Sequence, residues 1–208
     1  MKGLILDHNG VICDGRHFYE ERCRRIAEIL NIKSTKEALR FWKETYIEAS
    51  LGKITLDDYY SRLSKEFNVK LNGNEDDLFI NKEKLIEGIQ EELKKLKQNK
   101  SIRICLLSNY VQRWIDKFLE NNKIKKYFDS VVVSSSIGIR KPDERAYRIA
   151  AESINVPLRS CIYVGDSIVD LEVCKKLGIK PVFIPGEETS AKSFQSIKSI
   201  RELHKLLE

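Results

Sequence analysis

No segment of the sequence is apolar over enough residues to cross a membrane. A membrane-spanning helix needs about 20 consecutive, mostly apolar residues, and no run within the 208 residues approaches that length. The apolar run near the N-terminus is short and ends at Asp7, so it does not have the form of a signal peptide. We therefore expect a cytoplasmic protein with no membrane partner.

The cysteines lack the spacing of a disulfide framework or of a metal site. There are five of them, widely separated, with no CxxC pair and no Cys/His cluster. They are Cys13, Cys23, Cys105, Cys161 and Cys174. Most lie in apolar or helical stretches, which is typical of reduced packing residues in a cytosolic protein. The pattern predicts neither disulfides nor a structural zinc site.

The sequence also lacks any nucleic-acid-binding module, although it is basic. The formal net charge is +6, and lysine-rich clusters occur at 93–100 and 123–126. Without a module pattern, such clusters are typical of solvated helix ends. We expect no nucleic-acid partner, and the sequence leaves open whether the protein is a monomer or a homodimer.

No internal repeat or low-complexity tract interrupts the chain, and its length allows one large domain or a core domain with an insertion. After a strand at 2–6, helical periodicity dominates up to residue 70. Helices are predicted at 18–30, at 37–52, at 55–67 with Thr55 as N-cap, and at 83–99 after a polar break at 72–77.

The second part of the chain alternates between strands and helices. Strands are predicted at 102–108, 130–135, 161–165 and 181–185, and helices at 111–121, 143–154, 167–178 and 199–208. This alternation predicts an α/β fold, a doubly wound parallel sheet with a Rossmann-like core. The helical block reads as a small all-helical cap inserted after the first strand. We assign 1–14 and 82–208 to the core and 15–81 to the cap.

Polar residues stand at the ends of the predicted strands. Asp7 follows the first strand, Ser108 and Asn109 the second, and Gly165 and Asp166 the fourth. Lys141 lies in the loop after the third strand, in "GIRKPD". Each of these residues alone is a weak signal, but ligands bind at the carboxyl ends of strands in such sheets. Their coincidence at successive strand ends therefore predicts a shared site.

These residue types suit phosphoryl transfer. Asp7 can attack phosphorus as a nucleophile, and Asp7 and Asp166 can hold Mg²⁺, which prefers a few carboxylates together with water and phosphate oxygens. Asp170 lies one helical turn beyond Asp166 and can support the metal site. The Ser108 hydroxyl and the Lys141 ammonium can bind the phosphate.

The turn after Asp7 adds backbone donors to this predicted phosphate site. It consists of His8, Asn9 and Gly10, whose N–H groups can point at a phosphate. In an extended segment the His8 side chain should point away from those of Asp7 and Asn9. We therefore expect His8 to contribute through its backbone.

Four segments resemble the motifs of the haloacid dehalogenase superfamily, in its phosphatase-like branch with a helical cap after the first motif. "DHNGV" at 7–11 is similar to the motif D-x-D-G-[TV], and the other three are "LLSN" at 106–109, "RKPD" at 140–143 and "VGDSIVD" at 164–170. The resemblance extends over essentially the whole chain.

This resemblance implies a Mg²⁺-dependent hydrolase that acts on a small phosphorylated substrate through an aspartyl-phosphate at Asp7. It implies that Asp166 and the main-chain carbonyl of Asn9 contact the metal. It also implies that Ser108 and Lys141 bind phosphate. Asn109 and Asp170 would then support the site.

The sequence departs from the family pattern at Asn9, where the family's phosphatases have an aspartate. That aspartate protonates the leaving group and then activates water, and an amide can do neither. Loss of a general acid–base group slows a reaction roughly 10²–10⁴-fold, which leaves room for substantial residual catalysis.

Several accounts of Asn9 remain open at this point. The chain is a natural, specialised phosphatase whose substrates need little leaving-group protonation, or a phosphatase with an engineered Asp-to-Asn change. Alternatively it is a catalytically silent phosphate-binding or scaffold protein, or a relative with a different chemistry that uses a group from the cap. A residue of the cap could also replace the missing acid, and His17 and Lys53 are the candidates, although each is more often an ordinary solvated residue.

Overall fold

A computed structural model describes residues 1–14, 23–24, 27–28, 30–80, 83–185 and 193–207. Its centre is a six-stranded sheet in the order β3-β2-β1-β4-β5-β6, and every paired neighbour is parallel. The strands are β1 Lys2–Leu6, β2 Ile102–Ser108, β3 Ser130–Val133, β4 Cys161–Gly165, β5 Lys180–Phe183 and β6 Gln195–Ser196. The predicted α/β fold class is confirmed.

The helices lie between these strands. The described α-helices are α1 Thr35–Ser50, α2 Leu56–Phe67, α3 Glu75–Ile80, α4 Ile89–Gln98, α5 Gln112–Asn121, α6 Ser134–Ile137, α7 Glu144–Ser153 and α8 Ile168–Lys176. Short 3₁₀ helices cover Lys125–Tyr127, Leu158–Ser160 and Ile200–Leu206. Among the described helices, none is long and apolar enough to span a membrane.

β1 is the central strand that positions the site. It pairs on one side with β2, with Leu6 opposite Leu106, and on the other side with β4, with Leu6 opposite Val164. Its residues Leu4, Ile5 and Leu6 are fully buried, as expected for a strand covered on both faces. Each face of the sheet carries its own apolar cluster.

Two helices of the insertion, α1 and α2, begin with side-chain caps. Ser34 accepts a hydrogen bond from the backbone N–H of Glu37 at the start of α1. Thr55 and Asp58 form a reciprocal capping box at the start of α2, which confirms the predicted N-cap. The two predicted helices 37–52 and 55–67 thus correspond to α1 and α2, while part of 18–30 lies outside the described residues.

An aromatic cluster joins the insertion to α5 of the core. Trp114 of α5 stacks on Phe79 at a ring-centroid distance of 4.6 Å and on Trp42 at 6.1 Å. The Trp114 indole also donates to Asp76, whose carboxylate pairs with Arg113 at 3.0 Å. Because these rings are buried together, Trp42 and Phe79 of the insertion serve as packing core.

The two connections between core and insertion run side by side. Cys13 forms an antiparallel bridge with Leu85, and the N–H of Ile86 donates to the Ile12 carbonyl at 3.0 Å. This pairing lies close to the boundaries predicted at 14 and 82. The division into a core and a separate cap domain stays a prediction.

Three sequence predictions of local structure are corrected. The helix predicted at 83–99 begins only at Ile89, because 84–86 pairs with 12–14 and Gly88 adopts a left-handed φ of 87°. The polar break predicted at 72–77 contains the start of α3 at Glu75. The predicted C-terminal helix is a 3₁₀ helix.

Candidate active site

Asp7 lies directly beyond β1, at the middle of the carboxyl edge of the sheet. Its N–H donates to the Val164 carbonyl of β4 at 3.0 Å, so the backbone remains in the sheet up to this residue. Its Oδ1 accepts a hydrogen bond from the His8 N–H at 2.7 Å. Only 8 % of Asp7 is exposed, which places a carboxylate in a largely dry environment.

Lys141 neutralises this carboxylate. Its ammonium Nζ lies 2.6 Å from Asp7 Oδ2 and 3.0 Å from Asp170 Oδ2, and the lysine side chain is 5 % exposed. Asn109 holds the lysine backbone with both ends of its amide: Oδ1 accepts from the Lys141 N–H at 2.8 Å, and Nδ2 donates to the Lys141 carbonyl at 2.9 Å. The structure therefore brings together the predicted residues Asp7, Asn109, Lys141 and Asp170.

Two tyrosines that the sequence reading missed belong to this cluster. The Tyr163 hydroxyl lies 2.9 Å from Lys141 Nζ, 3.2 Å from Asp7 Oδ2 and 2.9 Å from Asp170 Oδ2. The Tyr147 hydroxyl donates to Asp170 Oδ1 at 2.7 Å. A signal was present in the sequence, since a tyrosine within a buried strand needs a partner for its hydroxyl.

The pKa values of the two carboxylates in the cluster shift in opposite directions. Burial raises the pKa of Asp7, and the nearby Asp170 charge raises it further, against the opposing effect of Lys141. Burial also acts to raise the pKa of Asp170, but Lys141 and the hydrogen bonds from the tyrosines lower it overall. Burial would lower the pKa of Lys141, yet the charges of Asp170 and Asp7 raise it, so the ammonium stays protonated.

Asp166 lies against the turn that follows Asp7. Gly10 has a left-handed φ of 77°, and a Cβ added to it would lie only 2.4 Å from Asp166 Oδ2. Glycine is thus required by both conformation and space. Coordination of Mg²⁺ by Asp7, Asp166 and the Asn9 carbonyl stays a prediction, and all three groups are hard oxygen donors of the kind that Mg²⁺ prefers.

Ser108 ends β2, where it is paired with Val133 of β3 and is 2 % exposed. The register that places Leu6 opposite Leu106 puts Ser108 at the same sheet edge as the turn after Asp7. Its predicted contact with phosphate stays a prediction.

The His8 side chain packs in the core, and its Nδ1 lies 3.8 Å from Cys13 Sγ. It is fully buried, with ring-centroid distances of 4.9 Å to Phe118 and 5.5 Å to Tyr110. Its backbone N–H is bonded to Asp7, and the Gly10 N–H donates to the Cys13 carbonyl at 2.9 Å. Phosphate binding by these two N–H groups therefore requires that they exchange their present acceptors.

Asn9 has its side chain engaged within the turn. The Cys13 thiol donates to Asn9 Oδ1 at 3.2 Å. Lys53 is exposed in the turn after α1, and its backbone N–H donates to the Glu48 carbonyl at 2.9 Å. His17, the other candidate for a replacement acid, lies outside the described residues.

Sequence and structure comparisons assign this arrangement to a family. The family model described as haloacid dehalogenase-like hydrolase matches residues 4–184, and the chain belongs to this family. The predicted class, a phosphatase-type hydrolase of the haloacid dehalogenase superfamily, is confirmed.

Two phosphatases are among the curated proteins with a similar sequence. A phosphorylated carbohydrates phosphatase of Thermotoga maritima is 28% identical over 195 residues, which cover 88% of this chain and 84% of that protein. A phosphoglycolate phosphatase of Pseudomonas fluorescens is 30% identical over 95 residues, or 46% of this chain and 35% of that one. The chain thus spans most of the first relative's length and about a third of the second's.

Solved structures share the fold. A family enzyme from Bacteroides thetaiotaomicron, in complex with magnesium and inorganic phosphate, has a TM-score of 0.76 at 18% identity and covers 94% of this chain and 100% of its own. A haloacid dehalogenase superfamily phosphatase from Thermococcus onnurineus has a TM-score of 0.71 at 22% identity and covers 100% of this chain and 98% of its own.

Proposed function

We propose that this protein is a Mg²⁺-dependent phosphohydrolase that acts on a small phosphorylated metabolite, of which phosphorylated carbohydrates are the first class to test. The observation that carries the proposal is the buried ion pair between Asp7 and Lys141 at the carboxyl edge of the sheet. The similarity to the Thermotoga phosphatase supports the choice of substrate class.

In this proposal Asp7 attacks phosphorus and the substrate oxygen leaves, which forms an aspartyl-phosphate that water later hydrolyses. The Lys141 ammonium then binds the phosphate oxygens as well as the carboxylates. The Ser108 hydroxyl donates a hydrogen bond to the phosphate. Asn109 fixes the backbone of Lys141 so that the ammonium cannot drift from the reacting group.

Asp7, Asp166 and the Asn9 carbonyl would hold the magnesium ion, with Asp170 in support. When bound, the ion supplies positive charge that offsets the negative charge of the phosphoryl group. The donor set fits this role because all three groups offer oxygen, and the contact of Asp166 with Gly10 keeps one carboxylate beside the turn.

A second candidate function is that of a catalytically silent phosphate-binding protein. The chemistry and the hydrogen bond of Asn9 support it. The residue cannot act as acid or base, and its amide oxygen accepts a hydrogen bond from the Cys13 thiol. The same site would then bind a phosphorylated ligand without turnover.

The deciding experiment is a phosphate-release screen with sugar phosphates, phosphoglycolate and acyl phosphates, with and without Mg²⁺. Asp7→Asn is the matched control because it keeps the shape of the side chain and removes the nucleophile. Turnover that requires both Asp7 and Mg²⁺ supports the phosphohydrolase. Ligand-induced thermal stabilisation without turnover, in the native chain and in Asn9→Asp alike, supports the binding protein.

The cytoplasmic location, the absence of a nucleic-acid partner and the monomeric or homodimeric state remain expectations from the sequence.

A further inference from the structure

His8, Cys13 and Glu83 meet beneath the turn that carries Asn9. Their ligand atoms, an imidazole nitrogen, the thiol sulfur and a carboxylate oxygen, all lie within 4.8 Å of one another. His8 and Cys13 are fully buried and Glu83 is partly buried. Glu83 comes from the second connection between the core and the insertion, so the spacing of the sequence alone does not show this cluster.

We propose that this cluster is a binding site for a thiophilic divalent transition metal, with Zn²⁺ as the expected ion, separate from the proposed Mg²⁺ site at Asp7 and Asp166. One thiolate, one imidazole and one carboxylate form a donor set that suits Zn²⁺ and does not suit Mg²⁺. Three protein ligands leave the fourth tetrahedral position to a solvent molecule.

The distances within the cluster are close to those of a bound ion. Zn–S and Zn–N bonds of about 2.3 and 2.0–2.1 Å at a tetrahedral angle separate sulfur from nitrogen by about 3.6 Å. Cys13 Sγ lies 3.8 Å from His8 Nδ1. The carboxylate is oriented as well, because the Tyr110 hydroxyl donates to Glu83 Oε1. Such a partner fixes a metal ligand in its binding orientation.

A nucleophilic role for the same residues is disfavoured by access. A Cys–His–Glu arrangement also occurs where a thiolate attacks a substrate. Cys13, however, is 0 % exposed, and the rings of Tyr110 and Phe118 flank His8. A reactive cysteine must be reached by its substrate, whereas a metal ion needs only a narrow path.

Metal binding here would act on the proposed catalytic turn. Zn²⁺ binds the Cys13 thiolate, so the thiol proton leaves to solvent and its hydrogen bond to Asn9 Oδ1 is lost. Cys13 belongs to the first connection of the insertion and Glu83 to the second. A bound ion would therefore join the two connections and release the Asn9 amide at the same time.

The test uses Co²⁺ as a spectroscopic probe on chelator-treated protein. Cobalt bound to a cysteine thiolate gives a sulfur-to-metal charge-transfer band in the near ultraviolet, which oxygen ligands do not give. We expect this band to saturate at one Co²⁺ per chain and to disappear when Zn²⁺ is added, but to persist with Mg²⁺. The titration is repeated in Asp166→Ala, which removes the proposed Mg²⁺ site.

Matched variants locate the binding. Cys13→Ala should lose the band, whereas Cys161→Ala, which removes a buried cysteine on β4, should keep it. Glu83→Gln should keep the band and weaken Zn²⁺ affinity by at least roughly 10-fold, since even the loss of a group that only orients a ligand has an effect of that size. Circular dichroism shows whether each variant is folded.

Two results would overturn the proposal. One is the absence of a thiolate band in the native chain at saturating Co²⁺. The other is a band that survives Cys13→Ala in a folded protein, because the sulfur would then come from elsewhere.

Discussion

The ammonium of Lys141 lies 2.6 Å from Oδ2 of Asp7 and 3.0 Å from Oδ2 of Asp170, so one buried cation serves two carboxylates. Burial and the Asp170 charge raise the pKa of Asp7, while Lys141 opposes both. The charges of the three side chains therefore depend on one another. Removal of any one of them leaves a buried charge without its compensating partner.

Lys141→Met should lower the free energy of unfolding by about 3–5 kcal/mol, because it leaves two buried carboxylates without their cation. Urea denaturation at neutral pH measures this change. Lys100→Met, at an exposed position, is the control and should change stability by less than about 0.5 kcal/mol. Equal effects of the two substitutions would contradict the interpretation of the cluster.

Tyr163→Phe should lower the free energy of unfolding by about 1–3 kcal/mol, because the hydroxyl that contacts Lys141, Asp7 and Asp170 is removed from a buried site. If the proposed reaction is correct, kcat should also fall with little change in KM, since the orientation of the nucleophile is disturbed. Tyr147→Phe is the comparison, because its hydroxyl reaches only Asp170 of these three residues. It should affect stability more than kcat.

Gly10→Ala should remove any Mg²⁺-dependent thermal shift. A Cβ at Gly10 would lie 2.4 Å from Asp166 Oδ2, so the carboxylate or the turn must move. Gly73→Ala is the matched control, because Gly73 also has a left-handed φ, of 86°, but a Cβ there meets nothing within 4 Å. The control should share the backbone strain and keep the Mg²⁺ response; loss of the response in both would assign the effect to strain alone.

Asp129 provides a pH-dependent contribution to stability away from the proposed site. Partial burial would raise its pKa, but the hydrogen bonds from Lys97 and from the Ile104 N–H, with the Arg103 charge, lower it below the ordinary value of 3.8. The contribution is therefore fully present above pH 3.8 and is lost as the pH falls through the folded-state pKa.

Asp129→Asn should accordingly destabilise the protein by about 1–3 kcal/mol at pH 7. The difference from the native chain should shrink as the pH falls below 3.8, where the unfolded state takes up the proton first, and should be smallest below the folded-state pKa, where both states carry it. Urea denaturation at several pH values tests this, with the exposed Glu91→Gln as control. A difference that stays constant down to the lowest pH at which the protein folds would count against the assignment.

Most of the fold could be predicted because its strands are short, apolar and bounded by polar residues. The runs that became β1, β2 and β4 are buried on both faces; β2 and β4 end at Ser108 and Gly165, and Asp7 directly follows β1. The start of α4 could not be predicted from periodicity, because it depends on Leu85 pairing with Cys13 across the insertion.

The site could be predicted where a motif fixes the chemistry, and not where tertiary contacts do. Asp7 and Lys141 were predicted from their places at and beyond strand ends, and Asp170 from its place one helical turn after Asp166, and the structure joins the three residues. Tyr163 was missed because a tyrosine in an apolar strand reads as packing. Glu83 was missed as a neighbour of Cys13 because only the paired connections bring the two together.

The last prediction concerns Asn9 and the lifetime of the proposed aspartyl-phosphate. An amide at this position can neither protonate the leaving group nor activate the water that clears the intermediate. With a reactive acyl phosphate, whose leaving group needs little protonation, the first step should proceed and the second should be slow. After incubation with acyl phosphate and Mg²⁺, intact-mass measurement should therefore show phosphorylated protein, and peptide mapping should place the group on Asp7.

Asn9→Asp should shorten the lifetime of this species and raise turnover roughly 10²–10⁴-fold, the effect expected of a restored acid–base group. Asp7→Asn is the control and should show no phosphorylation, while Cys13→Ala tests whether the hydrogen bond to Asn9 Oδ1 contributes to the slow step. If the native chain already turns over as fast as Asn9→Asp, another group supplies the proton, and Lys53 and His17 are the first to substitute. If Asn9→Asp remains inert and Asp7 is never phosphorylated, the phosphohydrolase proposal is wrong and the silent binding protein takes its place.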